Sequence, residues 1–291
     1  MPGLKEVKDK IEGVSKTSQI TKAMNMVASA KLRGAQERMQ SFRPYAEKFA
    51  EAMQELSGGM DGDQQPLMEV RDVRSVELVV ITSDRGLCGS FNANIIKKAL
   101  ELIDRYEAEG KRVTVITVGN KAAQALKKSG KIRKSFKDIM GTFQMFNARE
   151  IAQNITRNFV DGESDQVELV YAEFKSMASQ KPVRKALLPI KPIENDDDET
   201  VKVDAIEYTY EPAPTEIMEG LLPLYLNVQV FHGMLEVGAG EHAARMAAMD
   251  NATNACGDII KDLTQLYNKA RQAAITGDLM DIVGGAEALK G

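Results

Sequence analysis

The first 57 residues carry an apolar stripe with the alternating three- and four-residue spacing of a coiled-coil helix. The stripe consists of Leu4, Val7, Ile11, Val14, Ser18, Thr21, Asn25, Ala28, Leu32, Ala35, Met39 and Phe42. Its polar members, Ser18, Thr21 and Asn25, lie together in the middle. A Gly-Gly pair follows, so we predict one helix over residues 1–57, with a bend or local break at Pro44. Because so narrow a stripe does not stabilise a lone helix in water, this helix needs a partner.

A second stripe of the same kind lies near the other end of the chain, within a helix predicted over residues 213–291. It consists of Met246, Met249, Thr253, Cys256, Ile260, Leu263, Tyr267, Ala270 and Ala274. Earlier in this helix, Pro223 and the glycines at 233, 238 and 240 suggest kinks or a break.

The two terminal helices are predicted to pair with each other. Residues 1–48 hold ten basic and five acidic residues, whereas residues 213–291 hold five basic and ten acidic residues. One helix enters the central part of the chain and the other leaves it, so they lie side by side only if they run antiparallel. At about 1.5 Å per residue they reach roughly 80 Å and up to roughly 110 Å. The second helix therefore overhangs, and its apolar end, from Leu279 to Leu289, needs another cover.

The middle of the chain, residues 75–210, is predicted to be an α/β domain. Continuous apolar strands alternate with helices, which is typical of a parallel sheet. The predicted strands are 76–83, 113–118, 167–174, 181–192 and 203–210, and the predicted helices are 92–109, 121–128 and 147–160. The acidic run Glu194–Glu199 is predicted to be a solvated loop.

Composition argues against several classes of function. A formal net charge of −4 gives no reason to expect a nucleic-acid partner. Two distant cysteines are too few for a disulfide framework, and we expect a reducing compartment. The first residues lack the apolar core of a signal peptide, and no apolar run reaches membrane-spanning length. We therefore expect any work at a membrane to be done through partners.

The segment Ser83–Asn92 follows a strand and opens a helix, where α/β proteins hold phosphates. It lacks the GxGxxG and GK[ST] patterns, so a tight turn that uses glycine is the favoured interpretation over a nucleotide site. Cys88 is interpreted as a packing residue, because the only histidines, His232 and His242, lie far along the chain. The two histidines have no metal-site spacing. We predict no catalytic residue, no cofactor and no metal.

Four stretches carry more information than a generic coiled coil would. They read ITKAMNMVASAKL at 20–32, SDRGLCGSFN at 83–92, AARMAAM at 243–249, and YNKARQAAIT at 267–276 with DIVGGA at 281–286. In this order and at these separations, they resemble the γ subunit of F-type ATP synthase, over essentially the whole chain.

The resemblance implies a fold class of α/β plus long coiled coil. In it, an antiparallel pair of terminal helices surrounds a central Rossmann-like domain. It further implies a central-stalk rotor that turns inside a hexamer of α and β subunits and contacts the ε subunit and the ring of c subunits. Ion flow drives the rotation, and ATP forms in β, so the chain has no active site of its own. The expected location is the cytoplasmic side of the inner membrane, as a peripheral protein.

The resemblance also implies a set of subunit-contact residues. These are Thr21, Lys22, Met24, Arg271, Gln272, Thr276, Asp278 and Ile282. Asp278 stands where the family usually has Glu.

Two other functions remain open at this point. The chain could be a coiled-coil adaptor unrelated to ATP synthesis, or a nucleotide-using enzyme built on the 83–92 loop. The resemblance does not tell whether protons or sodium ions drive the motor.

Overall fold

A computed structural model describes residues 4–57, 65–190 and 214–288. The elements are α1 (Leu4–Ser57), β1 (Ser75–Ile81), α2 (Phe91–Ala108), β2 (Arg112–Val118), α3 (Asn120–Leu126) with a 3-10 turn (Lys127–Ser129), β3 (Ile132–Phe136), α4 (Met145–Val160), β4 (Gln166–Ser176), β5 (Ser179–Leu188) and α5 (Pro214–Ala288). The predicted long helices at both ends are confirmed, with 54 residues in α1 and 75 in α5. The predicted strand at 203–210 and the acidic run at 194–199 lie outside the described residues.

Packing divides the chain into two compact units. One consists of the residues up to Ala30 together with those from Arg245 onwards, and the other runs from Lys31 to Ala244. Both long helices contribute to both units. The division into domains at 1–57, 75–210 and 213–291 stays a prediction.

The larger unit contains a five-stranded sheet in the order β3-β2-β1-β4-β5. The first four strands are parallel, as predicted, whereas β5 pairs antiparallel with β4. The prediction of a wholly parallel sheet is wrong at this edge, because only Met177 and Ala178 separate the two strands and a parallel crossover needs about a dozen residues. Strand β3 was not predicted, since its sequence, IRKSF, contains no apolar run.

Helices cover both faces of this sheet. On β1, Glu77 accepts a hydrogen bond from Asn158 of α4 at 3.3 Å. Its neighbour Leu78 pairs with Glu168 of β4, which accepts a hydrogen bond from Tyr106 of α2 at 2.7 Å. Successive residues of a strand point to opposite faces, so α4 and α2 lie on opposite sides.

The glycines of α5 allow the helix to lie close to the sheet. A Cβ atom added at Gly233 would come within 2.9 Å of Leu169 on β4, and one at Gly240 within 2.8 Å of Phe91 at the start of α2. The predicted break near Pro223 and these glycines is wrong, because α5 is continuous from Pro214 to Ala288, whereas the predicted kink stays a prediction. The glycines serve close packing against neighbouring side chains.

This packing fills the crevice where α/β proteins usually bind nucleotides. Strand order reverses at β1, and ligands of such sheets bind beyond the carboxyl end of a strand at that point. Ile81 ends β1 and lies 3.4 Å from a Cβ atom built at Gly233, while Phe91 begins the next helix beside Gly240. The crevice therefore holds α5.

Charged side chains are also buried where α5 meets β4. A carboxylate oxygen of Glu236 accepts a hydrogen bond from the backbone N–H of Phe174 at 2.6 Å, and its other oxygen lies 3.4 Å from His232 Nε2. Burial, with the charges of Lys185 and Arg43, lowers the pKa of His232 to about 4. Burial raises the pKa of Glu236. Near neutral pH the imidazole is therefore uncharged.

The glycine contacts predict opposite effects for two Gly→Ala substitutions in α5. Alanine gains about 1 kcal/mol of helix propensity at either position. At Gly240 the methyl group meets the ring of Phe91, and overpacking at about 1–3 kcal/mol outweighs that gain, so Gly240→Ala lowers the free energy of unfolding. At Gly220 nothing lies within 4 Å, so Gly220→Ala raises it. Hydrogen exchange of the β1 and β4 amides measures both, and stabilisation by Gly240→Ala would contradict the close packing.

The lowered pKa of His232 predicts loss of stability in mild acid. Its unfolded pKa is about 6.5, so between pH 6.5 and 4 the unfolded chain binds a proton that the folded chain does not. Stability therefore falls as pH falls through this window, by on the order of 2–3 kcal/mol. In His232→Gln this loss is absent, and the raised pKa values of Glu236 and Glu77 contribute stability that is lost as pH rises. Urea unfolding at several pH values compares the two chains, and parallel curves would refute the assignment.

Candidate functional site

The smaller unit is an antiparallel helix pair. Val7, Thr21 and Ala28 of α1 are buried, and so are Met249 and Cys256 of α5. The intervening stripe positions are half-buried, and most of the residues between them are exposed, with Met24, Ala248 and Ala252 among the half-buried exceptions. The two predicted seams are therefore confirmed. Two hydrogen-bonding contacts between α1 and α5 show that the helices run antiparallel.

Polar side chains join the helices in the middle of the seam. The hydroxyl oxygens of Thr21 and Thr253 lie 2.7 Å apart, and Asn25 Nδ2 donates to the backbone oxygen of Met246 at 2.9 Å. From the first contact to the second, the residue number rises along α1, from Thr21 to Asn25, and falls along α5, from Thr253 to Met246. The two helices are therefore antiparallel. The polar interruption of the stripe is thus explained by hydrogen bonds inside the pair.

The length of α1 sets where the pair ends. Thr21 lies opposite Thr253, and stepping back along α1 to its first described residue, Leu4, brings α5 to about residue 270. Ala270 is half-buried, and every residue from 271 to 287 is exposed. The prediction that Ala274 belongs to the seam is wrong, because Ala274 is exposed. We call residues 271–287 the tip.

The tip has two unlike sides. At 100° per residue, Ile275, Leu279, Ile282, Val283 and Ala286 fall on one side of the helix. The first four of these side chains are 48–68% exposed. Around the helix, Gln272 lies within this apolar side, between Leu279 and Val283, and Thr276 lies at one border. Arg271 and Asp278 lie at the other border, and Asp281 lies further round on the polar side. An exposed apolar surface of this kind, bordered by polar groups, is typical of a protein contact.

In the larger unit, the 83–92 loop is held together by its own polar groups. The side-chain oxygen of Asn92 accepts from the Ser83 backbone N–H at 3.0 Å, and Asp84 accepts from the backbone N–H groups of Asn120 at 3.0 Å and Met140 at 2.8 Å. Gly89 has a φ of 58°, which a turn residue other than glycine rarely adopts. Cys88 is buried, so its interpretation as a packing residue is confirmed.

None of the helices within residues 4–57, 65–190 and 214–288 combines the length and apolar character of a membrane span. Within the same ranges, no three His, Cys, Asp or Glu side chains cluster as ligands for a metal ion.

Comparison with known proteins gives a consistent result. A family model described as ATP synthase matches residues 3–289. The chain is 60% identical to the ATP synthase gamma chain of Desulfotalea psychrophila and 52% identical to that of Nitratidesulfovibrio vulgaris, over the full length of each. The chain belongs to the ATP synthase gamma chain family.

Solved structures agree with this gamma-chain assignment. A chain from the central stalk and c-ring structure of the Tetrahymena thermophila mitochondrial ATP synthase is 26% identical, with a TM-score of 0.60 over 80% of this chain and 99% of that one. A chain of the Euglena gracilis mitochondrial ATP synthase has a TM-score of 0.69 over 98% of this chain and 94% of that one. At 21% identity, the second shows a shared fold.

The structure separates the family-implied contact residues into two groups. On α1, Thr21 is buried against α5, Met24 is half-buried and Lys22 is exposed. On α5, Arg271, Gln272, Thr276, Asp278 and Ile282 all lie exposed on the tip. Thr276 donates to the backbone oxygen of Gln272 at 2.9 Å. The tip residues lie beyond the reach of α1, so the two groups do not form one site.

Sequence reasoning missed a second stripe on this gamma-chain helix pair. Ile20 and Val27 are 60% and 57% exposed, and with Ala23 and Ala30 they follow the same three-four spacing on the side of α1 away from α5. The spacing was readable in the sequence. It was hidden by the stronger seam, which uses the neighbouring positions.

The polar contact in the seam predicts a measurable coupling between Thr21 and Thr253. Each hydroxyl has one hydrogen and a nearby carbonyl of its own helix, Ser18 for Thr21 and Met249 for Thr253, so one hydrogen bond crosses between the helices. In a double-mutant cycle of Thr21→Val and Thr253→Val, we expect a coupling of about 0.5–1.5 kcal/mol. Thermal unfolding followed by circular dichroism measures it.

The matched control is Thr17→Val. Thr17 is exposed and bonds only the Gly13 carbonyl of its own helix, at 3.1 Å. Its substitution should change stability by less than about 0.5 kcal/mol, alone or combined with Thr253→Val. A coupling of zero between Thr21 and Thr253 would show that their contact adds nothing to the pair.

Proposed function

We propose that this chain is the central-stalk rotor subunit of an ion-translocating ATP synthase. The observation that carries the proposal is the tip of α5, which runs beyond α1 with an apolar side exposed over residues 275–286. An apolar helix surface of this extent is stable when another protein surrounds it. We infer that the surrounding protein is the hexamer of α and β subunits.

The remaining partners are inferred from the family. The ε subunit and the ring of c subunits would bind the chain outside the hexamer, and ion flow through the membrane sector would turn ring and shaft together. The chain would then lie at the cytoplasmic side of the inner membrane, attached through these partners. Its relatives among the solved structures come from assemblies named for a central stalk, a rotor and a c-ring.

The two unlike sides of the tip suggest how a shaft without chemistry acts on distant active sites. A ligand shifts a conformational equilibrium only when it contacts two states differently. As the tip turns, a given β subunit would face first the apolar side and then the side that carries Arg271, Asp278 and Asp281. Each β subunit would therefore pass through different conformations in sequence, and ATP would form in β alone.

Arg271 and Gln272 are proposed as the polar contacts of this shaft. A guanidinium donates two parallel hydrogen bonds to a carboxylate, and a glutamine amide both donates and accepts. Arg271 lies at one border of the apolar side, and Gln272, 100° further around the helix, lies within it. They can thus hold two neighbouring subunits or two segments of one.

We expect Arg271→Ala combined with Gln272→Ala to lower ATP synthesis and hydrolysis of the assembled complex by about tenfold or more. Loss of charge-assisted hydrogen bonds destabilises one conformational state of the β subunit relative to another. The matched control is Lys261→Ala with Gln265→Ala, also a cation and an amide exposed on α5, but within the paired region. ATP turnover of the purified complex measures both.

Two outcomes would reject the proposal. Unchanged turnover in the Arg271 and Gln272 variant would favour an adaptor unrelated to ATP synthesis. Recovery of the chain from native membranes only as a free monomer, without α and β subunits and without ATPase activity, would remove the shaft role altogether.

A further inference from the structure

A groove of about 780 Å³ lies between α4 and the first turns of α5, within the larger unit. Arg149 and Arg157 of α4 form one wall, and Pro223 and Leu224 of α5 form the other. The shaft role uses the tip of α5 and assigns nothing to this groove.

The groove carries an excess of positive charge. Among the described residues, neither Arg149 nor Arg157 takes part in an ion pair, whereas Glu150 beside them pairs with Lys134 at 3.7 Å. Asp161 is the one carboxylate among the described residues that line the groove. The two guanidinium groups are eight residues apart, so their backbone positions lie about 12 Å apart along the helix.

Apolar surface lies between and beside these charges. Val160 lines the groove and is 47% exposed. Phe146 is 67% exposed and lies on the same face of α4, seven residues before Gln153 of the groove wall. A large exposed aromatic side chain next to unpaired guanidinium groups is characteristic of an interaction surface.

The α5 wall leaves open space at one position. A Cβ atom added at Gly220 meets nothing within 4 Å, so the missing side chain leaves space in the groove.

We propose that this groove docks an acidic amphipathic segment of a partner protein. Two carboxylates pair with Arg149 and Arg157, and an apolar side chain fills the space over Gly220 between Val160 and Leu224. Charge complementarity and the concave shape favour this occupant over a lipid surface, which binds clusters of about four to eight basic residues on an open face. The proposal does not rest on the shaft function.

The test uses the full chain and a synthetic helical peptide with two glutamates eight residues apart and a leucine between them on the same face. Fluorescence anisotropy measures its affinity. Arg149→Glu with Arg157→Glu should weaken binding at least about tenfold, and should create binding of the peptide in which lysines replace the glutamates. Gly220→Leu should weaken binding similarly, while Gly220→Ala retains it.

The matched control is Lys97→Glu with Arg105→Glu. These residues have the same eight-residue separation on the exposed side of α2, on the opposite face of the sheet from α4. This variant should bind the acidic peptide within about twofold of the native chain. Hydrogen exchange of the α4 amides checks that each variant keeps its fold.

Several results would overturn the proposal. They are no binding of the acidic peptide by the native chain, equal binding by the groove variants and the control, and binding only to vesicles of phosphatidylglycerol. Self-association of the native chain that Gly220→Leu abolishes would make a second copy the occupant. Peptide binding that appears only when Glu194–Glu199 are neutralised would make this chain's own acidic run the occupant.

Discussion

Burial of one apolar stripe against another holds the helix pair together. Neither the segment up to Ala30 nor the segment from Arg245 has apolar surface on enough of its circumference to be stable alone. Joined along the seam, they bury Val7, Ala28 and Met249 and pair the polar groups of Thr21 and Asn25. The polar contacts make one register preferable to its neighbours, since a shift would leave these groups without partners.

The helix pair leaves the end of α5 unpaired, and this end provides a surface for contact with other subunits. Along the described part of α1, burial against α5 ends near Ala270, and α5 continues to Ala288. The remaining turns keep an apolar side that the chain itself does not cover. This surface is the physical basis for assigning the chain a mechanical task in contact with other subunits.

The same helix packs where a nucleotide-binding topology usually leaves a crevice. The sheet reverses its strand order at β1, where related folds leave a crevice for phosphates. In this chain Gly233 and Gly240 bring α5 against Leu169 and Phe91, and the crevice is occupied by the helix. The loop at 83–92 then serves as a well-bonded turn, with Asp84 and Asn92 joining neighbouring backbone groups.

The sequence by itself determined the helices, their seams and most of the sheet, because these depend on local periodicity and on continuous apolar runs. The spacing of apolar residues from Leu4 to Phe42 was sufficient to predict α1 and its seam, and the apolar run that begins at Val76 was sufficient to predict β1. Strand β3 and the antiparallel direction of β5 were decided by tertiary structure, since an edge strand needs no apolar pattern and strand direction depends on the turn. Gly233, Gly238 and Gly240 could not be interpreted from the sequence, because a glycine that breaks a helix and one that admits a neighbour look alike until the neighbour is seen. The groove beside Arg149 and Arg157 likewise exists only where two helices distant in sequence meet.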